Sequence, residues 1–161
     1  MTAERVLDLL RAHGRTLAVA ESLTGGLLTD AFVRVPGASA VLLGGVIAYA
    51  TPVKHTVLGV DAALLDREGP VHPEVARQMA YGVRRAVAVA GRDADVGVST
   101  TGVAGPDGQS GHPPGTVWVG VAIGDRLIAR GAVLRGDRAE VRAATVALAV
   151  QALLELLTPA E

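Results

Sequence analysis

The chain has 161 residues, half of them hydrophobic, and its 15 basic and 16 acidic side chains leave a formal net charge of −1. That length suits one compact domain with a full hydrophobic core, and the absence of cysteine excludes disulfides, thiolate metal sites and cysteine nucleophiles. So balanced a charge supplies no overall field for nucleic acid or an anionic membrane, and any phosphate contact must be local.

Aromatic residues are few, a single Trp and Phe with two Tyr, so the core must be built from Ala, Val, Leu and Ile. Residues 2–13 place Val6, Leu9, Leu10 and His13 at helical spacing, with Gly14 as a stop. Charges at Glu4, Arg5, Asp8, Arg11 and Arg15 leave no apolar run for a signal peptide, and Gly44 and Gly45 break Val41–Ala50 well short of a membrane span. A cytoplasmic location is expected. Thr16–Ala20 reads as a short buried strand running into Glu21-Ser22-Leu23-Thr24-Gly25-Gly26, and a helix is predicted from about Thr24 to Val35, ended by Pro36-Gly37. Val41–Ala50 is a second buried strand carrying two glycines, after which Thr51-Pro52 opens a short helix closed by Gly59.

Pro73 begins another helix whose apolar face runs through Val75, Met79, Val83, Val87 and Ala90 to Gly91. Asp95–Thr101 is a third strand and leads into Gly102–Gly115, a Gly- and Pro-rich loop of the length that compact domains reserve for function or leave disordered. Thr116–Ile123 and Leu127–Leu134 form a hairpin turned at Gly124-Asp125, and a long helix runs to Leu157 with Asp137 as its N-cap. This order predicts an α/β fold of one domain with a mixed sheet between helical layers.

Ser22 falls where a buried strand turns into a helix, the place where α/β sheets put ligands and where helix N-termini offer unpaired amides. The alternative is that Ser22 or Thr24 merely caps the helix while Gly25 and Gly26 pack on the sheet. Glu21, next in sequence to Ser22, is unlike it in direction if both belong to the strand, and is given only a supporting role. Tyr49 and Lys54 occupy a comparable strand-to-helix corner. A Ser-Lys pair suffices for amide hydrolysis when desolvation keeps the lysine neutral enough to take the serine proton, with Tyr49 holding or relaying that proton. The competing reading is a surface lysine beside a core tyrosine. The glycine loop offers amides suited to a phosphate or an oxyanion, although it lacks the lysine of a P-loop and no dinucleotide fingerprint follows a strand. His13, His55, His72 and His112 are scattered without metal-ligand spacing, so no metal site is expected; His55 and His112 are candidates for a pocket rim. Arg135, Arg138 and Arg142 cluster near the start of the last helix as solvated charges or, for one of them, a phosphate ligand.

Ala20-Glu21-Ser22-Leu23-Thr24-Gly25-Gly26, Gly45-Val46-Ile47-Ala48-Tyr49, Lys54 with Leu58-Gly59-Val60, Gly69-Pro70-Val71, Gly102-Val103-Ala104-Gly105-Pro106-Asp107-Gly108, Gly115-Thr116-Val117 and Gly136-Asp137-Arg138 together resemble, in order and over nearly the whole chain, the CinA C-terminal domain family. The resemblance implies a three-layer α/β/α sandwich over residues 1–161, no cofactor, no metal requirement and a homo-oligomer. It implies a nicotinamide-nucleotide amidase that converts nicotinamide mononucleotide to nicotinate mononucleotide and ammonia in pyridine nucleotide recycling, with no direct nucleic-acid or membrane partner. Ser22 would be the nucleophile, Lys54 its base and Tyr49 the third member. Thr24, Gly25, Gly26, Thr101, Gly102, Gly105 and Arg138 would line the nucleotide pocket. An N-terminal molybdopterin-binding-like domain, present in some relatives, is not expected, because the chain begins too close to the serine motif.

Three departures stand out. Ala50-Thr51-Pro52-Val53 replaces Ser-Asn-Glu-Ala between tyrosine and lysine, His72 stands where serine is frequent, and His112 where lysine is frequent. Two other functions compete with the amidase: a non-catalytic nucleotide-sensing or protein-binding module linked to competence and DNA damage, and an amidase for another small substrate. The intact set of Ser22, Tyr49 and Lys54 favours catalysis.

Overall fold

A computed structural model describes residues 3–158. Five strands form one mixed sheet: β1 (Leu17–Glu21), β2 (Leu42–Ile47), β3 (Val96–Gly102), β4 (Thr116–Ile123) and β5 (Arg126–Val133), in the order β2-β1-β3-β4-β5. β2, β1 and β3 run parallel, whereas β4 and β5 continue antiparallel from β3. The helices are α1 (Ala3–Ala12), α2 (Leu27–Val33), α3 (Thr51–Thr56), α4 (Ala62–Glu68), α5 (Pro73–Ala86) and α6 (Arg138–Leu157).

Strand alternation sorts the core into two halves. Leu17 and Val19 of β1 face a cluster with Val6, Leu10, Phe32 and Leu153, so α1, α2 and α6 cover that side. Ala18 and Ala20 point the other way, toward Leu58, Leu64, Val75 and Met79 of the α3–α5 layer. The result is the three-layer α/β/α arrangement expected from the sequence. On the second side α5 lies unusually near the sheet. Ser99 Oγ donates to the Ala76 carbonyl at 2.6 Å, and a Cβ on Gly97 or Gly120 would collide with the Ala80 or Ala76 carbonyl oxygen. Only residues without a Cβ permit that approach. Gly120→Ala, which also crowds Ser99 Oγ, is therefore expected to destabilise the protein by about 2 kcal/mol and to lower Tm by roughly 4–8 °C in a thermal melt.

β2, expected as a buried strand over Val41–Ala50, is the edge strand of the sheet over Leu42–Ile47 and is only partly buried, because it has a neighbouring strand on one side alone. Several boundaries also differ from expectation. The first helix begins at Ala3, and Thr2 lies outside the described residues. The second starts at Leu27 rather than Thr24, because Ser22–Gly26 are used as a turn with Gly25 and Gly26 at positive φ. Helix α5 stops at Ala86 rather than near Gly91: Val89 and Arg92 bond to each other in both directions, and Ala90 between them has φ 51. Local apolar spacing continued past the point where this tight turn ends the helix. The short α4, capped by the Asp61 carboxylate on the Ala63 amide, was not foreseen, nor was the 3-10 turn Ala38–Ala40. By contrast Asp137 caps α6 as expected, in a reciprocal box with Glu140. Among the described residues no helix is long and apolar enough to cross a membrane.

Candidate active site

Parallel strands β1, β2 and β3 end on the same edge of the sheet. The chain leaves β1 toward β2 on one side and returns as β3 on the other, so their carboxyl ends bound a crevice of the kind in which open α/β sheets bind ligands. Ser22 follows β1, Tyr49 and Lys54 follow β2, and Thr101 and Gly102 end β3. All five, with Gly105 and Arg138, line one cavity of about 270 Å³.

Lys54 is 1% exposed. It sits in α3, which Pro52 helps to start, and one helical turn carries its side chain back to the preceding corner. Its Nζ lies 2.9 Å from Ser22 Oγ, 2.7 Å from the Ala48 carbonyl oxygen and 3.3 Å from that of Tyr49. Among the described residues no carboxylate pairs with it. Burial therefore pushes the Lys54 amine down to about 8. A neutral amine has two hydrogens and one lone pair; the carbonyls can take the hydrogens, leaving the lone pair for the Ser22 hydroxyl proton. The altered Ala50–Val53 segment does not displace this lysine. Thr51 from that segment lines the cavity.

Ser22 itself is 7% exposed, and its amide donates to the Thr100 carbonyl at 3.1 Å. Neither Ser22 nor Thr24 caps α2. Glu21 does so instead: its buried carboxylate accepts from the amides of Leu28 at 2.8 Å and Thr29 at 3.1 Å, and from the Thr29 hydroxyl at 2.7 Å. These bonds satisfy donors at the N-terminus of α2 with a built-in anion, so that helix end is not the expected phosphate site.

The residues implied for the nucleotide pocket divide. Thr24, Gly25 and Gly26 do not line the cavity; Thr24 is fully buried with its hydroxyl 2.7 Å from that of Thr100. Thr101 lines it with its hydroxyl committed to the Pro70 carbonyl at 2.7 Å. Arg138 spans the mouth, donating to the Gly105 carbonyl at 2.7 Å and to the Tyr49 hydroxyl at 3.2 Å. Tyr49 is 62% exposed, and its phenol makes no hydrogen bond to Ser22 or Lys54. After β2 the alternation buries Ala48 and turns Tyr49 outward, so Lys54 meets only the tyrosine backbone.

Other features add detail to the glycine loop and the arginine cluster. Asp107, Gly108 and Gln109 of the glycine loop line the cavity, and the amides of Ala104, Gly105, Asp107 and Gly108 have no acceptor among the described residues. Arg142 bonds the carbonyls of Leu23 and Thr24 at 2.9 and 3.1 Å. Of the clustered arginines, Arg138 and Arg142 are four residues apart on one face of α6, whereas Arg135 precedes the helix. The histidines stay outside the cavity. His55 borders a different hollow beside Tyr81 and Arg85, and His112 pairs through its backbone with Gln109. His72 caps α5 through Nδ1, which accepts from the Glu74 amide at 3.1 Å, a role the hydroxyl of a serine also fills.

Comparison with known proteins places these residues in a wider group. The family described as CinA C-terminal domain matches residues 1–157. A CinA-like protein of Frankia casuarinae is 45% identical over 152 residues, which is 94% of this chain and 34% of that protein. The chain thus spans about a third of the length of the curated relatives it matches. Among solved structures, a competence-damaged protein (CinA) superfamily protein from Escherichia coli has a TM-score of 0.89 at 31% identity, covering 96% of this chain and 87% of that one. A superfamily protein from Klebsiella pneumoniae has a TM-score of 0.88 at 33% identity, covering 96% of this chain and 94% of that one.

Proposed function

The chain belongs to the CinA C-terminal domain family, and from that premise we propose that it is a nicotinamide-nucleotide amidase that releases ammonia from nicotinamide mononucleotide by a Ser-Lys mechanism. The observation that carries this reading is the buried Lys54 Nζ, 2.9 Å from Ser22 Oγ and without a carboxylate partner among the described residues. A solvated structural lysine has no need of that environment. Proton transfer does.

In the reaction, Ser22 Oγ attacks the carboxamide carbon as its proton passes to Lys54 Nζ, and the carbonyl electron pair moves onto oxygen. Collapse of the tetrahedral intermediate breaks the C–N bond, and ammonia leaves with the proton returned by Lys54. Water, deprotonated by the same amine, then opens the ester to give nicotinate mononucleotide and free Ser22. Tyr49 holds Arg138 at the mouth rather than handling the proton.

At about 270 Å³ the cavity takes a small molecule. The unpaired amides of the glycine loop and the guanidinium of Arg138 supply donors for a phosphate. Ammonia release by the purified protein should follow the order nicotinamide mononucleotide, nicotinamide riboside, nicotinamide, with the nucleotide strongly preferred in kcat/KM. Arg138→Ala is expected to raise KM for the nucleotide roughly 10–100-fold, the worth of a charge-assisted contact, and to narrow its lead over the riboside. Equal rates on nucleotide and nicotinamide contradict the reading. Nucleotide binding without turnover favours a sensing module instead.

A further inference from the structure

The turn from Ser22 to Gly26 is held at three successive carbonyls. Ser22 O accepts from the Gly25 amide at 3.1 Å, Leu23 O from Arg142 Nε at 2.9 Å, and Thr24 O from both Arg142 Nη2 at 3.1 Å and the Leu27 amide at 3.0 Å. In a trans peptide the N–H points opposite to the C=O of the same unit. Fixing Ser22 O and Leu23 O therefore fixes the directions of the Leu23 and Thr24 N–H groups. Neither amide has an acceptor among the described residues, although both residues are buried and Leu23 lines the cavity beside Ser22. Buried amides without partners are rare, and the Leu23 amide, directly after a serine with an adjacent buried amine and in the wall of the cavity, is a donor suited to the oxygen of a bound group.

We propose that Arg142 is a positioning residue that builds the oxyanion site, its guanidinium gripping the Leu23 and Thr24 carbonyls and so holding the turn in which the Leu23 amide, beside Ser22, is kept for the oxygen of the reacting group. Among the described residues Leu23 O has no other donor, so without Arg142 the peptide between Leu23 and Thr24 loses its one hydrogen bond among them. The two-pronged contact requires a guanidinium, because a lysine supplies one nitrogen where two are used. Gly25 accommodates it. With φ +54 and a would-be Cβ only 3.3 Å from Arg142 Nη2, a larger residue there would press on the guanidinium. Arg138, four residues earlier on α6, grips Gly105 O, so one face of this helix anchors both walls of the cavity.

The inference rests on the acyl-transfer reading of Ser22, and its test is chosen to separate the two. Wild type, Arg142→Lys and Arg142→Ala are compared in kcat and KM for nicotinamide mononucleotide, and in the rate at which an alkyl fluorophosphonate labels Ser22, followed by intact-protein mass spectrometry. In that labelling the Ser22 Oγ–P bond forms, the P–F bond breaks with loss of fluoride, Lys54 accepts the proton, and the phosphonyl oxygen takes the place of the oxyanion. Arg142→Ala should lose roughly 100-fold in both kcat and labelling rate, the scale of one oxyanion donor, with KM changed less than threefold. Arg142→Lys should lie between, and millimolar guanidinium ion should restore part of the alanine variant's rate. Rates within threefold of wild type in either folded variant overturn the proposal, as does a loss expressed only in KM or a wild-type Ser22 that is not labelled. If Arg142→Ala does not fold, the kcat and labelling rates of Arg142→Lys decide. A wild type that is labelled in an Arg142-dependent way but releases no ammonia from the nucleotide overturns the substrate assignment and leaves the positioning role standing.

Discussion

Ser22→Ala is expected to reduce ammonia release from nicotinamide mononucleotide by at least roughly 10⁴-fold, because the hydroxyl forms the covalent bond and no neighbouring group replaces it. The fold should tolerate the change. The serine side chain caps no helix, since Glu21 performs that task for α2, and its one side-chain hydrogen bond is to Lys54 Nζ. Losing that bond costs about 1 kcal/mol, while Lys54 keeps the carbonyls of Ala48 and Tyr49. Circular dichroism and a thermal melt should thus show a folded variant with Tm within a few degrees of wild type. Retained turnover in that folded protein removes Ser22 from the mechanism.

Lys54→Arg separates proton transfer from charge. Arginine remains protonated at accessible pH, so it preserves a cation and its donors but cannot take the serine proton. The variant should lose roughly 10³-fold or more in kcat while still binding the nucleotide, measured by calorimetry on protein whose folding is checked by circular dichroism. The wild-type pH profile provides a second measurement of the same residue. With the amine at about 8 in the folded protein, the neutral, active form is roughly a tenth of the population at pH 7 and dominates above pH 9. Accordingly kcat/KM should rise with pH through about 8 and then level, and the arginine variant should lack that rise. A flat wild-type profile, or near wild-type turnover by the variant, excludes Lys54 as the base.

Much of the fold was legible because its signals are local. The strands Thr116–Ile123 and Arg126–Val133 followed from a hairpin turned at Gly124-Asp125, and the start of α6 from Asp137 as its N-cap. Errors arose where the deciding contact was also near in sequence but hidden in backbone conformation. Val87 to Ala90 fit the apolar spacing of α5, yet the Val89–Arg92 turn ends it. At the site, the motif identified Ser22 and Lys54 as candidates, and the local helix geometry of Thr51–Thr56 accounts for how the lysine turns back to its corner. Sequence alone carried no information on Tyr49's direction, because strand alternation beyond Ile47 depends on where the edge strand releases the chain.

By itself, then, the sequence determined the order of the strands and of the longer helices, the two-sided burial of β1, the capping of α6 and the serine-lysine candidates, since hydrophobic period, turn chemistry and capping act between residues a few positions apart. Tertiary structure alone decided which groups those candidates meet. Lys54 reaches Ser22 across 32 positions of chain, Ser22 is anchored to Thr100 across 78, and Arg142 grips Leu23 across 119. Each of these bonds exists because β1 lies between β2 and β3 with α6 packed against α2, β3 and β4, and the strength of desolvation at Lys54 depends on the same packing. Neither the acidity of a buried amine nor the partner of an arginine is encoded in its neighbours along the chain; both follow from what the fold brings within a few ångströms.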